Sequence, residues 1–300
     1  MSKPTFPTWI RRAWPSGAAF QETKTLLEGL GLHTVCQSAH CPNQGECWER
    51  RTATFMILGN TCTRRCRFCA VNTGAPEPLD PEEPGRVAAA VKSMGLRHVV
   101  ITSVTRDDLL DGGAGHFAQT VTAVKAANPG VTVEVLVPDF QGEQQAISRV
   151  LEARPEVFAH NIETVERRHA SVRDQRYYYR RSLDVLQIAA DLAPGAFIKS
   201  GFMLGLGETE EEVRATLRDL RGAGCTVLAI GQYLQPTPAH EPVSAFVTPE
   251  TFDMFAAEAY SLGYVQVVSG PLVRSSYRAE AIFAKTGGGQ LEARNACGTK

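Results

Sequence analysis

Short apolar segments rich in β-branched residues alternate with segments of helical period from Ala53 onwards. The predicted strands are Thr54–Leu58, His98–Val104, Val131–Val137, Val157–Asn161, Phe197–Leu204 and Val227–Tyr233. The predicted helices run from Pro81 to Gly95 and then over His116–Ala127, Glu143–Ala153, Ser182–Leu192, Glu210–Ala223 and Pro249–Leu262. Six strand–helix units in series indicate a parallel sheet with helical crossovers.

Several predicted helices carry a start signal of their own. Asp80 stands before Pro81, and this pair is typical of an N-cap followed by the first helical residue. Thr209 precedes Glu212 at the spacing of a capping box, in which each residue satisfies a backbone N–H of the other. Thr248 before a proline and a glutamate marks a third helix start.

The chain is of the α/β class, and its sheet could be an open doubly wound sheet or a barrel. No GxGxxG sequence follows the first predicted strand, which argues against a dinucleotide-binding sheet. Six units are too few for a closed eight-stranded barrel. We therefore expect a partial (β/α)6 TIM-type barrel that is open on one side.

The two ends of the chain differ from this regular middle. Residues 1–50 show no sustained period, and we expect an N-terminal extension wrapped on the barrel, with one short helix near Gln21–Gly29. Residues 51–284 hold the predicted barrel and a short C-terminal segment. The Gly-rich residues 285–300 are expected to be a disordered tail.

Composition narrows the functional classes. The 300 residues include 31 basic and 32 acidic side chains, a balance that argues against a general nucleic-acid binder. No apolar run approaches the roughly 18 residues that a membrane-spanning helix needs. The N-terminal sequence also lacks the basic-then-apolar order of a secretory signal. We expect a cytoplasmic protein that binds neither nucleic acid nor a membrane.

The placement of the cysteines is the unusual feature of the sequence. Six of the eight lie between Cys36 and Cys69, whereas Cys225 is expected in the core and Cys297 in the tail. A chain that can build a large core does not need a disulfide scaffold. Clustered cysteines in such a chain indicate metal ligands or redox groups.

The downstream triplet, Cys62, Cys66 and Cys69, follows the first predicted strand. In a barrel, the loops that leave the carboxyl ends of the strands form the active site. Three thiolates suit a soft metal ion or an iron–sulfur cluster, and a four-iron cluster held by three cysteines keeps one iron free. The residues alone also allow a zinc site completed by a distant histidine, or cysteines buried without a metal.

The upstream triplet, Cys36, Cys41 and Cys47, has a different spacing. It could hold zinc with His33 or His40 as the fourth ligand, or it could join the downstream triplet in one six-cysteine assembly. Two different spacings favour two separate clusters.

Three segments carry a resemblance to a known family. The sequence GNTCTRRCRFCAV resembles the signature of radical S-adenosylmethionine enzymes, which also use a partial βα barrel. Together with CQSAHCPNQGECWE upstream and GPLVRSSY at 270–277, it is similar to the lipoyl synthase family from Leu26 to Ala284. Without this resemblance, RSSY would be interpreted as a polar turn after a strand predicted at Tyr264–Leu272.

The resemblance implies a sulfurtransferase that inserts two sulfur atoms at C6 and C8 of a protein-bound octanoyl-lysine. It implies S-adenosylmethionine and two 4Fe-4S clusters as cofactors, with the auxiliary cluster as sulfur donor. The implied ligands of the radical cluster are Cys62, Cys66 and Cys69. Those of the auxiliary cluster are Cys36, Cys41, Cys47 and Ser276. The implied cofactor contacts are Asn161, Glu163, Lys199 and Arg274.

The resemblance also implies partner proteins. These are octanoylated lipoyl carriers (E2 domains of 2-oxoacid dehydrogenases and the H protein of glycine cleavage), an electron donor such as ferredoxin or flavodoxin, and an iron–sulfur carrier that rebuilds the consumed cluster. Six arginines within residues 164–181 predict a salt-bridged face, or a docking site for an acidic carrier. Biotin-synthase-like sulfur insertion and a zinc-binding adaptor with structural cysteine sites are the alternative functions.

Overall fold

The body of the fold is a sheet of parallel strands. The computed structural model describes residues 6–10, 17–277 and 279–280, so the predicted tail, with Cys297, lies outside the described residues. The strands are β1 His33–Thr34, β2 Thr54–Ile57, β3 Thr61–Cys62, β4 Asn72–Thr73, β5 His98–Ser103, β6 Thr132–Leu136, β7 Val157–Ala159, β8 Phe197–Leu204, β9 Val227–Gln232 and β10 Gln266–Gly270.

The sheet has the order β1-β2-β5-β6-β7-β8-β9-β10, and β3 and β4 form a separate pair. Only β1 is antiparallel to its neighbour, and every other pair of adjacent strands in the large sheet is parallel. Among the described residues no ladder joins β10 back to β1 or β2. The predicted partial barrel is confirmed, and its opening lies between these two edges.

Helices follow the parallel strands and cover one face of the sheet. They are α1 Ala18–Gly29, α2 Val35–Ser38, α3 Gln44–Glu49, α4 Glu83–Met94, α5 Ala114–Ala127, α6 Gln144–Glu152, α7 Glu166–Val172, α8 Tyr179–Leu192, α9 Glu210–Gly222 and α10 Pro249–Ser261, with 3₁₀ turns at Thr8–Ile10 and Phe140–Gly142. The capping box of α9 is confirmed, since Thr209 and Glu212 each accept the backbone N–H of the other. Thr248 caps α10.

The predicted start of α4 is wrong by two residues. The Asp80 carboxylate accepts the N–H of Glu82 and caps a turn that precedes the helix. The helix begins at Glu83, whose carboxylate turns inward and accepts the N–H of Leu58 and a bond from His116. These buried contacts fix where the helix starts, and they could not be inferred from the local sequence.

The sequence pattern misses the shortest elements. Helices α2, α3 and α7 span two turns or less, too few for a helical period to appear, and β1 has two residues. Tertiary packing rather than propensity stabilises such short elements.

The N-terminal segment shares the main apolar core with the barrel. Phe20 and Leu27 of α1 and Trp48 of α3 belong to the same cluster of buried side chains as the strand residue Phe55. The rings of Phe20 and Trp48 lie 5.2 Å apart between centroids. A domain boundary at residue 50 stays a prediction. No helix of the described residues has the length and apolar character needed to span a membrane.

Candidate active site

A cavity of about 860 Å³ occupies the interior of the open barrel. Both cysteine triplets and the RSSY segment face it. Its lining includes Cys36, Cys41, Cys47, Cys62, Cys66, Cys69 and Ser276. The fold therefore brings all seven predicted cluster ligands to a single chamber.

The downstream triplet lies on the segment that follows β2, with Cys62 at the end of β3, and backbone amides are directed at its sulfur atoms. The sulfur of Cys62 accepts the N–H of Arg64 and of Thr105, each at 3.4 Å. The sulfur of Cys66 accepts the N–H of Asp174 at 3.3 Å. Such bonds orient the sulfurs and favour the thiolate form that binds metal.

The loop after β9 holds the other end of the same triplet. His240 contacts the carbonyl oxygen of Cys69 through Nε2 at 3.1 Å, and its Nδ1 contacts the hydroxyl of Thr237 at 2.8 Å. Because a carbonyl oxygen only accepts, His240 carries a proton on Nε2. The N–H of Glu241 also donates to the carbonyl of Arg67 at 2.9 Å.

The upstream triplet lies on α2, on α3 and on the loop between them. This segment is joined to the C-terminal part of the chain by polar contacts. Asn43 donates through Nδ2 to the carbonyl of Leu272 at 2.6 Å, and the Tyr277 hydroxyl donates to the Glu46 carboxylate at 3.1 Å. The first and last parts of the described chain thus close the same side of the cavity.

The donor set fits iron–sulfur clusters. Burial raises the pKa of Cys36 and of Cys69 to about 12 and that of Cys47 to about 11, so these thiols stay protonated until a metal displaces the proton. No three His, Cys, Asp or Glu side chains among the described residues converge on the position of one metal ion. Cysteine thiolates are the ligands that hold iron–sulfur clusters in proteins.

Asn161 and Glu163 follow β7 and line the cavity. Glu163 has φ of 70°, which is uncommon outside glycine, and β8 holds it there through bonds with Gly201 and Met203. Burial raises the pKa of its carboxyl group. Asn161 accepts the hydroxyl of Ser275 at 2.8 Å. Both side chains therefore have fixed positions beside the downstream triplet.

The RSSY segment forms the predicted turn, since the N–H of Tyr277 donates to the carbonyl of Arg274 at 2.9 Å. Arg274 lines the cavity. The segment lies directly on β9, where a Cβ at Gly231 would overlap the carbonyl oxygen of Val273. The absence of a side chain at Gly231 lets Val273, three residues before Ser276, lie against this strand.

Lys199 does not line the cavity. Its Nζ lies 2.7 Å from Oε1 of Glu134, and both side chains are almost fully buried. His98 Nε2 is 3.7 Å from the second oxygen of Glu134. The expectation that Lys199 contacts a cofactor has no support from its position, because its charge already has a buried partner.

The predicted arginine patch carries little free charge. Carboxylates partner five of its members, in the pairs Arg167–Glu212, Arg168–Glu241, Arg176–Asp174, Arg180–Asp184 and Arg181–Asp139, and Arg173 stacks on Tyr177. The prediction of a salt-bridged face is confirmed. The local excess of arginine gives no support to carrier docking there.

Sequence reasoning missed several side chains of the site. Tyr177 lines the cavity and lies between Arg64 and Arg173, and its neighbours in the sequence give no signal of this position. His240 was likewise not selected. Thr105, which follows β5, also lines the cavity.

Comparisons with known proteins agree with this site. The family model of the radical SAM superfamily matches residues 56–220. Among solved structures, methylornithine synthase (PylB) is similar with a TM-score of 0.51 at 15% identity, over 91% of this chain and 93% of that one. The FeFe-hydrogenase maturase HydG from Carboxydothermus hydrogenoformans has a TM-score of 0.55 at 14% identity, over 89% and 77%. At such identities these structures show the fold alone.

Curated relatives are much more similar in sequence. The lipoyl synthase of Thermus thermophilus is 56% identical over 278 residues, which cover 92% of this chain and 86% of that protein. That of Rubrobacter xylanophilus is 55% identical over 288 residues, 96% and 89% of the two chains. The chloroplastic lipoyl synthase of Arabidopsis thaliana is 50% identical, over 93% and 73%. The chain belongs to the lipoyl synthase family of radical SAM enzymes.

Proposed function

We propose that this chain inserts sulfur at C6 and C8 of an octanoyl-lysine on a carrier protein, with two 4Fe-4S clusters and S-adenosylmethionine as cofactors. The observation that carries the proposal is the single cavity lined by both cysteine triplets and by Ser276. In one chamber, an acyl chain can meet the radical source and the sulfur source without leaving the protein.

The side chains divide between the two clusters. In this proposal Cys62, Cys66 and Cys69 hold the radical cluster, and Cys36, Cys41, Cys47 and Ser276 hold the auxiliary cluster. When bound, these clusters and S-adenosylmethionine supply the electron, the radical and the sulfide, which no side chain can provide. Asn161, Glu163 and Arg274 offer polar contacts to S-adenosylmethionine from the cavity wall.

The protein positions the acyl chain and excludes water. Met56, Val100, Leu136 and Met203 line the cavity between the polar groups, and they give an octanoyl chain an apolar wall. Aliphatic C–H bonds carry no acidic proton, so the contribution of the protein is orientation rather than acid–base catalysis. Sequestration from water also protects a reactive carbon from side reactions.

The deciding experiment replaces each triplet separately. Cys36, Cys41 and Cys47 are changed to alanine in one variant and Cys62, Cys66 and Cys69 in another, with Cys225→Ala as the control for a buried cysteine outside the cavity. Iron, sulfide and zinc per chain are measured after anaerobic reconstitution. Cleavage of S-adenosylmethionine and sulfur addition to an octanoylated carrier peptide are followed by mass spectrometry.

We expect roughly eight irons per chain in the unmodified protein and in Cys225→Ala, and roughly four in each triplet variant. The upstream variant should cleave S-adenosylmethionine without adding sulfur, and the downstream variant should do neither. Loss of all iron in both variants would support one six-cysteine assembly instead. Zinc without sulfide would support the adaptor, and an intact two-cluster protein that leaves the peptide unchanged would contradict sulfur insertion on a carrier.

Ser276 needs a test of its own because its role rests on the resemblance and on its place in the cavity. Ser276→Ala should bind the auxiliary cluster more weakly and stop sulfur addition while S-adenosylmethionine cleavage continues. Ser275→Ala is the matched control, since Ser275 is adjacent and its hydroxyl bonds Asn161. Equal auxiliary-cluster content and sulfur addition in Ser276→Ala and the unmodified protein would contradict the assignment.

We further propose two accessory partners. Arg65 and Arg67 are exposed on the loop of the downstream triplet. Arg67 pairs with Glu241 at 2.9 Å, so Arg65 is the residue that suits an acidic electron donor such as ferredoxin or flavodoxin. Consumption of the auxiliary cluster as sulfur donor requires an iron–sulfur carrier to rebuild it. The carrier substrates would be E2 domains or the glycine cleavage H protein. Arg65→Glu tests the electron-donor site. We expect this variant to lose turnover driven by ferredoxin or flavodoxin in a salt-dependent way, while turnover driven by dithionite is unchanged.

A further inference from the structure

Tyr177 lies between two guanidinium groups. The Cζ atoms of Arg64 and Arg173 are 4.0 Å and 3.6 Å from the centroid of its ring. The side chain is buried, and its hydroxyl lies 2.9 Å from the hydroxyl of Thr105. Desolvated guanidinium–aromatic contacts are attractive, so a ring with a cation on both faces fixes both cations.

One of these cations is part of the cluster loop itself. Arg64 lies between Cys62 and Cys66, and its side chain is held by Asp107 at 2.7 Å and by Asp139 at 2.9 Å. Arg64 remains a fixed positive charge beside the cysteines.

The side chain of Tyr177 contacts both residues that donate hydrogen bonds to the sulfur of Cys62. Arg64 and Thr105, which both touch the Tyr177 side chain, are the two residues whose backbone N–H groups donate to this sulfur. Movement of the ring would therefore disturb both of these bonds.

The other face of the ring leads to Cys66. Arg173 donates through Nη1 to the carbonyl of Asn161 at 3.0 Å, and its charge acts on Cys66. The next residue, Asp174, donates its N–H to the sulfur of Cys66. One aromatic ring thus connects the donors to two of the three sulfurs.

Cations and N–H···S bonds near a cluster stabilise its reduced form, because reduction adds a negative charge to the cluster and its thiolates. We propose that Tyr177 is a positioning residue that holds Arg64, Thr105 and Arg173 against Cys62 and Cys66 and so raises the reduction potential of the cluster bound there. This inference rests on the proposed assignment of the downstream triplet to the radical cluster.

The test uses three variants in a background that lacks the upstream triplet, so that only one cluster is present. Tyr177→Leu removes the ring, and Tyr177→Phe keeps both stacks and removes only the hydroxyl. Tyr264→Leu is the matched control, because Tyr264 is an equally buried tyrosine whose hydroxyl bonds Leu217, in α9 on the outer layer of the barrel. Potential, iron content and thermal unfolding temperature are measured for each variant.

We expect the equilibrium constant for one-electron reduction to fall by about tenfold in Tyr177→Leu, a shift of about 59 mV to more negative potential. Tyr177→Phe keeps both guanidinium contacts but loses the bond to Thr105, so its potential should fall by less than that of Tyr177→Leu. Tyr264→Leu should unfold at a lower temperature than the parent, while its cluster keeps the reduction potential of the parent. This result would separate loss of stability from loss of positioning.

A parent-like potential in Tyr177→Leu with full iron content overturns the inference. If Tyr177→Leu binds too little iron, Arg173→Gln is measured instead, because it keeps the ring and removes one charge. An unshifted reduction potential in Arg173→Gln also overturns the inference. A background protein that binds no cluster at all contradicts the proposed function instead, so the two failures are distinguishable.

Discussion

The buried ion pair of Lys199 and Glu134 allows a test of how much paired charges in the interior contribute to the stability of this fold. The Nζ–Oε1 distance is 2.7 Å, and His98 approaches the second oxygen of Glu134 at 3.7 Å. Burial alone would raise the pKa of Glu134, but the charge of Lys199 and the hydrogen bond from His98 outweigh burial and lower it. The carboxylate is therefore ionised at neutral pH.

The perturbation is Lys199→Met, which keeps the length of the side chain and removes its charge. The lost attraction at 2.7 Å is about 6 kcal/mol at an effective dielectric constant of about 20. Glu134 can escape this cost by taking up a proton, which from an ordinary pKa of 4.5 costs about 3 kcal/mol at pH 7. We therefore expect the free energy of unfolding to fall by about 3 to 4 kcal/mol.

The assay is urea unfolding of the full chain, with all variants in the same cluster state, at pH 7 and pH 5.5. Because the orphaned Glu134 binds a proton in the folded variant, the deficit should shrink as the pH falls, by about 1.4 kcal/mol per pH unit. The double variant Lys199→Met/Glu134→Gln should recover most of the loss. Lys125→Met is the control, since its partner Glu156 is also at 2.7 Å but is partly exposed, and it should cost under about 1 kcal/mol.

The same variants decide whether Lys199 contacts a cofactor. If its role is the buried pair alone, the double variant regains stability and binds S-adenosylmethionine as tightly as the unmodified protein. A recovered stability with weakened S-adenosylmethionine binding would refute this reasoning and support the cofactor contact. A stability loss in Lys199→Met no larger than that of Lys125→Met would refute the calculated magnitude.

Three further predictions concern other parts of the fold. Burial lowers the pKa of His160 to about 4. Between pH 6.5 and pH 4 the unfolded chain therefore binds a proton at this residue that the folded chain does not bind. The free energy of unfolding should fall by about 3 kcal/mol as the pH falls through this range. In His160→Gln, urea unfolding at pH 7 and pH 5 should show a shallower pH dependence, and an unchanged slope would contradict the assignment. Gly231→Ala should displace Val273 and reduce auxiliary-cluster iron and sulfide while S-adenosylmethionine cleavage persists; full iron content would show that the segment tolerates the side chain. Thr209→Ala should lower the free energy of unfolding by about 1 kcal/mol, because the capping box of α9 is lost. Thr226→Val, at the start of a strand, is the comparison outside a helix. No loss of stability in Thr209→Ala would show that the cap is dispensable.

The regular parts of this fold were predictable because their signals are long and repeated. Strand β8 was predicted with its observed ends, and the first residues of α9 and α10 follow from Thr209 and Thr248, whose side chains act on their own helices. The start of α4 was not predictable, because its position depends on a bond between Glu83 and His116 that joins two helices.

The candidate site divides in the same way. The cysteine triplets stand close together in the sequence, so their spacing alone selects them. The contact of Lys199 with Glu134 could not be predicted, because this carboxylate lies on another strand, 65 positions away. Tyr177 was missed because the two cations on its ring come from separate loops, and only tertiary structure brings them together.

The bond between Asn43 and the carbonyl of Leu272 joins residues 229 positions apart, and this separation has a consequence for synthesis. At roughly 5 to 20 residues per second, a ribosome needs about 11 to 46 s to make the intervening chain. During that time the thiols of Cys36, Cys41 and Cys47 have already been made, and the segment that contains Ser276 has not. The downstream triplet is complete within eight residues of chain, from 62 to 69, whereas the bond that holds the upstream segment forms only after residue 272 has been made. A nascent or C-terminally shortened chain would therefore present three uncovered thiols to oxygen and stray metal ions.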